Sequence, residues 1–201
     1  MNPGSRSIPI PTTRARTSES HPLRIAELSC GPASGVIGVT FCPGKQGKSV
    51  FGAPWQRNLS LDLDVIQAWG ARIVVTLVEA REMRMLSVTD LGEGIRERQM
   101  TWLHLPIRDL QPPGPEFESA WPSAADALCL TLSAGGKVLV HCRGGLGRAG
   151  TVAGCLLIEM GLSPNDAVQR VRQARPGAIE TAAQEQYVRG FRASWPNPEA
   201  D

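Results

Sequence analysis

The sequence predicts a single-domain α/β fold with a mostly parallel central sheet flanked by helices. Three observations carry that reading. Short apolar runs of strand length alternate with longer segments of helical spacing, which builds a layered fold around a largely parallel sheet. One run, "RIVVTLV" (72–78), is apolar without a break, as suits a strand covered on both faces. The 201 residues suffice for one domain with a sizeable core, with no internal repeat and no low-complexity block beyond the first 28.

Residues 1–28 are rich in Ser, Thr, Pro and Arg and lack an apolar period, which predicts a mobile tail. The domain is then expected over 29–196, with 197–201 a second short tail. "GVIGVTF" (35–41) reads as the first strand. "SLDLDVIQAWGA" (60–71) reads as a helix capped by Ser60 and stopped by Gly70. The buried strand 72–78 follows, then helical spacing over 79–88, where Met83 and Leu86 lie three apart. "MTWLHLPI" (100–107) is a strand, and the proline-rich "RDLQPPGPE" (108–116) is a loop. Residues 117–136 form a long helix with Pro122 near its start, and "KVLVH" (137–141) is the last strand. Helical segments over 149–160, 163–174 and 181–194 complete the chain. The second opens on Ser163-Pro164-Asn165-Asp166, which supplies a cap, a proline in the first turn and an acid at the third position.

A formal net charge of +2 gives no reason to expect nucleic acid or an acidic membrane as partner. No run of 18 apolar residues is present, and Met1 to Arg6 open no apolar signal segment. The five cysteines, Cys30, Cys42, Cys129, Cys142 and Cys155, are odd in number and never at CxxC spacing, which predicts a reducing, cytoplasmic setting. "CPGKQGKS" (42–49) nearly matches the nucleotide-binding pattern GxxxxGK[ST]. Cys42 replaces the first glycine, however, and Phe51-Gly52-Ala53-Pro54 follows where a helix would have to start. No metal or other cofactor is expected.

The chemistry is concentrated between the last strand and the next helix, in "HCRGGLGRAGT" (141–151). Ligands of an open parallel sheet bind at the carboxyl ends of its strands. A helix that starts there offers unpaired N–H groups and the positive end of its dipole to an anion. Gly144, Gly145 and Gly147 let the backbone curl, so that the N–H groups of Arg143, Leu146 and the glycines converge on one point. A phosphate fits such a cradle. Arg148, at the mouth of the helix, can grip two phosphate oxygens at once. Cys142 lies at the base, where positive charge and N–H donors favour its thiolate, a nucleophile aimed at phosphorus.

His-Cys-x5-Arg between an apolar strand and an apolar helix resembles the signature loop of the cysteine-dependent protein tyrosine and dual-specificity phosphatases. Its late position suits that branch, since low-molecular-weight phosphatases and arsenate reductases carry a similar loop near the N-terminus. "HCRGGLGR", "GAIETAAQEQYVRGF" (177–191) and "LHLPIRD" (103–109) are similar to the kinase-associated, or cyclin-dependent kinase inhibitor, phosphatase family, over roughly residues 30–192. The resemblance implies a cysteine-phosphatase fold and a protein phosphatase. Its substrate would be a phosphorylated protein, carrying phosphotyrosine or also phosphoserine or phosphothreonine, hydrolysed through a phosphocysteine intermediate. The alternative is a phosphoinositide or small-metabolite phosphatase that uses the same cysteine. A non-catalytic phosphoresidue-binding module would be expected to lack the cysteine, the arginine or the acid.

The leaving oxygen needs a proton, and a carboxylic acid on a loop is the usual donor. Asp109, 33 residues before Cys142, is the candidate; Asp90, Glu93 and Glu116 compete with it but follow no predicted strand directly. By resemblance, His141 supports the loop and thiolate without acting as a base. Gln184, or Gln186 in its place, positions the water that hydrolyses the phosphocysteine. Arg143 faces outward, where it favours an acidic group flanking the phosphate or solvates the rim. Leu146 is apolar at a place where lipid phosphatases of the superfamily often carry a second basic residue. One departure stands out. The family usually has Ser or Thr directly after the arginine, to bond the departing thiolate. This chain has Ala149, with Thr151 two residues on, which predicts slow breakdown of the intermediate.

Overall fold

The computed structural model describes residues 14–31, 34–49 and 52–196. In chain order its elements are β1 (Ala26–Ser29), β2 (Val36–Phe41), β3 (Gln46–Gly47), β4 (Trp55–Gln56), α1 (Leu59–Trp69), β5 (Ala71–Thr76), α2 (Ala80–Met85), α3 (Leu91–Glu97), β6 (Thr101–His104), α4 (Pro115–Ser133), β7 (Lys137–Cys142), α5 (Gly147–Glu159), α6 (Pro164–Ala174) and α7 (Ala182–Gly190). The main sheet has the order β1-β2-β7-β5-β6, and β3 pairs with β4 in a separate small ribbon. β1 is antiparallel to β2, and every other neighbouring pair in the main sheet is parallel. The carboxyl ends of β7, β5 and β6 therefore open on one edge, side by side.

Alternation along the central strands divides the core into two layers. Val138 and Val140 of β7, with Ile73 and Val75 of β5, pack against Leu128 of α4, Val152 and Leu156 of α5 and Val188 of α7. The intervening Leu139 and Val74 face the opposite way, onto Leu63 and Ile66 of α1 and Leu91 and Ile95 of α3. Each such side chain contributes about 1.5–3 kcal/mol on burial, so both layers hold the sheet in one register. α5 is buried along its whole length. At its end Glu159 is buried too, and accepts hydrogen bonds from Trp121 Nε1 of α4 and from the Ser194 N, Ser194 Oγ and Trp195 N groups.

Several boundaries differ from expectation. The expected tail over 1–28 is wrong for residues 14–28; residues 1–13 and 197–201 lie outside the described residues. Leu23 and Leu28 are buried, and Ala26–Ser29 is a strand, so the domain begins before residue 29. Polar anchors, invisible to an apolar period, hold the stretch before it. Buried Arg57 pairs with Asp62 through two bonds of 2.7 Å and donates to the His21 carbonyl at 2.6 Å. The cap of α1 is Asn58 rather than Ser60, its side chain accepting from Leu61 N, while Gly70 stops the helix at φ 91° as expected. The helix expected over 79–88 ends at Met85, and α3, which the sequence reading did not contain, follows it. Gly92 and Gly94 weaken the helical propensity of α3; packing of Leu91 and Ile95 supplies what propensity lacks. α5 begins at Gly147, two residues before the expected start. β3 lies within residues 42–49, and the next described element is β4, not a helix. Among the described residues, no helix is long and apolar enough to cross a membrane.

Candidate active site

β7 delivers Cys142 to the sheet edge, directly beside Phe41 at the end of β2. The loop 143–146 then rests on that neighbouring strand. A Cβ at Gly145 would meet the Thr40 carbonyl carbon at 2.4 Å, and Gly145 has φ +69°, so only glycine fits. Gly147 is confined differently: a Cβ there would lie 2.5 Å from Glu180 Oε2. Gly144 meets neither demand.

The loop turns its carbonyls outward. Arg175 donates from Nε to the Gly145 carbonyl at 3.1 Å and from Nη2 to that of Gly144 at 3.4 Å. C=O and N–H point opposite ways in a trans peptide, and no cis bond is present among the described residues. Tying these two carbonyls outward therefore aims the N–H groups of Gly145 and Leu146 inward. The Gly145 N–H donates to Cys142 Sγ at 3.2 Å, and the Gly147 N–H donates to Glu180 Oε2 at 2.7 Å.

Arg148 rises from the first turn of α5 and is buried. Glu82 of α2 takes both ends of its guanidinium, at 2.6 Å to Nη1 and 2.9 Å to Nη2. The Ile107 carbonyl accepts from Nη1 at 3.0 Å. Burial works to raise the Glu82 carboxyl, but the Arg148 bond and the Glu79 N–H outweigh it and hold it below its ordinary value. Burial likewise opposes the Arg148 charge, and the Glu82 bond, with Cys142 and Asp109 nearby, keeps its pKa above the ordinary value. Asp109, 48% exposed at its side chain, reaches Arg148 Nη2 with Oδ1 at 2.8 Å. Three neighbouring parallel strands thus supply the site: β7 leads to Cys142, β5 to Glu82 and β6 to Asp109. A cleft of about 300 Å³ opens beside the loop, lined by Asp109, Arg143, Glu180, Lys45, Lys48 and Trp55 among others.

The other expected residues fall in varied places. His141 is buried and shares a 2.8 Å bond with Thr76 Oγ1, which itself accepts from Trp102 Nε1. Burial pushes its pKa down to about 3, so the ring is neutral at physiological pH. Gln184 is buried against Gly147, and its Nε2 donates to the Gln111 carbonyl at 3.2 Å, tying α7 to the loop that carries Asp109. Gln186 is exposed. Thr151 cannot serve as the sulfur's donor in this arrangement, because its hydroxyl is turned back onto the Gly147 carbonyl at 2.9 Å. Ala149 is fully buried. Arg143 is exposed and Leu146 half-buried. Asp90 and Glu93 sit in a separate depression with Arg98, and Glu116 lines a larger cavity with Pro112 and Phe117. Among the described residues no three His, Cys, Asp or Glu side chains are grouped to hold a metal ion.

Cys142 thus lies in a closed loop of N–H groups, with Arg148 and Asp109 in contact beside it. The model of the PTP-SAK family, the Swiss Army Knife DSP-PTPase phosphatase domain, matches residues 56–188. The chain belongs to this family. Cyclin-dependent kinase inhibitor 3 of Rattus norvegicus is 31% identical over 179 residues, covering 87% of this chain and 81% of that protein. Human protein tyrosine phosphatase type IVA 3 is 32% identical over 128 residues, covering 64% and 69%. A crystal structure of kinase associated phosphatase with serine in place of its catalytic cysteine superposes with a TM-score of 0.72 at 27% identity, over 83% of this chain and 92% of that one. The protein is a cysteine-phosphatase-fold hydrolase of the tyrosine and dual-specificity class.

Sequence reasoning about this DSP-PTPase domain missed Glu82, Arg175 and Glu180. Glu82 left a faint signal, an acid at the third position of a helix that follows a strand. Arg175 and Glu180 left none, since their contacts depend on the return of the chain after α6 onto the Cys142 loop. Ile179 makes that return with φ +59°, a rare conformation for a β-branched residue, held by its buried side chain and by its N–H on the Leu146 carbonyl.

Proposed function

We propose that the protein hydrolyses phosphotyrosine in protein substrates, with phosphoserine and phosphothreonine as further substrates, through a phosphocysteine on Cys142. One observation carries the reading: Cys142 Sγ accepts a loop N–H while Arg148, at the other end of that loop, is held by Glu82 and shares its Nη2 with Asp109. Sγ attacks phosphorus as Arg148 and the inward N–H groups take the equatorial oxygens. Asp109 protonates the leaving oxygen. In the second step Asp109 acts as base toward a water that attacks the phosphocysteine, and Gln184, lying against both the catalytic loop and the acid loop, is the residue that positions it. Five free cysteines, all buried, support a reducing cytoplasmic setting. The test is a turnover panel of phosphotyrosine and phosphothreonine peptides and phosphoinositides with chelator present. The peptides should turn over and the lipids should not; preference for a lipid would move the protein to the alternative reading.

Breakdown of the intermediate should be slow. Expulsion of the thiolate is easier when a hydroxyl donates to the sulfur, and neither Ala149 nor Thr151 offers one. A bond to a charged group is worth roughly 1.5–3 kcal/mol, or about ten- to a hundredfold in rate. Rapid mixing should show a burst of leaving group followed by slower turnover. Ala149→Ser should speed the second phase and leave the burst rate nearly unchanged. Absence of a burst, with no gain in the serine variant, would place the slow step elsewhere.

A further inference from the structure

Lys45 is only 7% exposed, a depth at which an ammonium is rare unless its charge is used. Its Nζ lies 4.3 Å from the ring centroids of both Phe41 and Trp55. It donates to the Arg143 carbonyl at 3.2 Å, one residue past the nucleophile. The turn that delivers it is itself pinned, because the Gly44 N–H donates to Asp62 Oδ2 at 2.8 Å and Asp62 is locked to Arg57. Much buried structure is thus spent on bringing one cation to the outer wall of the catalytic loop.

We propose that Lys45 is a positioning residue for the phosphate cradle: it clamps the Arg143 carbonyl from outside, turns the Gly144 N–H inward, and places a buried positive charge behind the anion site. The proposal rests on the reading of the Cys142 loop as an oxyanion cradle. The peptide geometry is the same as at Arg175. Arg175 holds the carbonyls of Gly144 and Gly145, and Lys45, beside a longer 3.5 Å bond from the Cys42 N–H, holds that of Arg143. Between them, three successive carbonyls of the loop are fixed outward before any phosphate arrives. The site therefore does not have to reorganise its dipoles when the anion binds.

The charge has a second effect. The groups facing Lys45 are Cys42 from its own turn, Arg57 before α1, Cys142 at the end of β7 and Arg16 from the N-terminal segment. Burial pushes the Lys45 pKa down to about 8, with the two cysteines opposing and the two arginines adding to the fall. Lys45 is therefore charged below about pH 8 and neutral above it, so its pull on a bound dianion weakens as pH rises through that value.

Tungstate binding to the Cys142→Ser protein, measured by calorimetry between pH 7 and 9.5, tests this without turnover. Adding Lys45→Met should weaken binding at pH 7 by about tenfold or more, and Lys45→Arg should recover part of the loss. The affinity of Cys142→Ser alone should fall as pH rises through the Lys45 titration, at or below about pH 8 because the Cys142 thiol no longer opposes the downward shift, and that fall should vanish in the Lys45→Met background. Equal tungstate affinity in a folded Lys45→Met variant would overturn the inference. So would a flat pH profile in Cys142→Ser alone, which needs no change at Lys45. Failure of Cys142→Ser to bind tungstate at any pH would instead overturn the cradle reading, and this inference with it.

Discussion

Cys142→Ser should abolish turnover of phosphotyrosine peptides, by on the order of 10⁴–10⁶-fold, while the protein still binds an oxyanion. The serine hydroxyl at the same position is not ionised near neutral pH and cannot replace the thiolate as nucleophile. The anion site is made by other groups: the inward N–H groups, held by carbonyls tied to Arg175, and Arg148, held by Glu82. Removal of the sulfur leaves all of them in place. Steady-state turnover and vanadate or phosphate binding, measured on one preparation, check both halves. Residual turnover near the wild-type rate would remove Cys142 from the mechanism. Loss of anion binding along with turnover would overturn the reading of the Cys142 loop as an oxyanion cradle.

Asp109→Ala should cut turnover of aryl phosphates by roughly 10²–10⁴-fold, the usual contribution of a positioned acid. Its contact with Arg148 Nη2 raises a competing explanation, that Asp109 merely holds the guanidinium. Glu82 already holds that group from two bonds, and the Asp109 side chain is half exposed, so the arginine should stay in place without it. Leaving-group dependence separates the two roles. A general acid matters least when the leaving oxygen needs no proton, so the loss should shrink for very acidic phenols. An equal loss across the series would assign Asp109 a structural part.

The parallel strands and the cysteine-to-arginine loop between β7 and α5 were legible because each is written locally. Val138 to Val140 announce a buried strand, and His-Cys-x5-Arg places a nucleophile and its arginine within one turn of chain. Asp109 was a candidate because it follows a recognisable strand, and the structure places it against Arg148. What failed to show were contacts made by polar groups across long separations. Arg57 and Asp62 hold residues 14–21 through backbone carbonyls, which no hydrophobic period records. Glu82 meets Arg148 across 66 residues of sequence, and Arg175 reaches back 30 residues to Gly145. Thr151 lies two residues past the place where the family carries its hydroxyl, and its rotamer turns it further from the sulfur, since a helical threonine readily spends its proton on the carbonyl four residues earlier.

Glu159 sets a different kind of condition, on the chain's far end. It is a carboxyl group in the core with no cation among its hydrogen-bond partners in the described residues, and three of its four donors there come from residues 194 and 195. Those two residues lie beyond the last helix, Ser194 exposed and Trp195 partly buried against the core, and they act as the stopper in a bottle. While they are seated, the negative group at the foot of the central helix is solvated by protein. Once they swing away, it is left to Trp121 alone or to invading water, and the helix that begins at the phosphate loop is loosened from its opposite end.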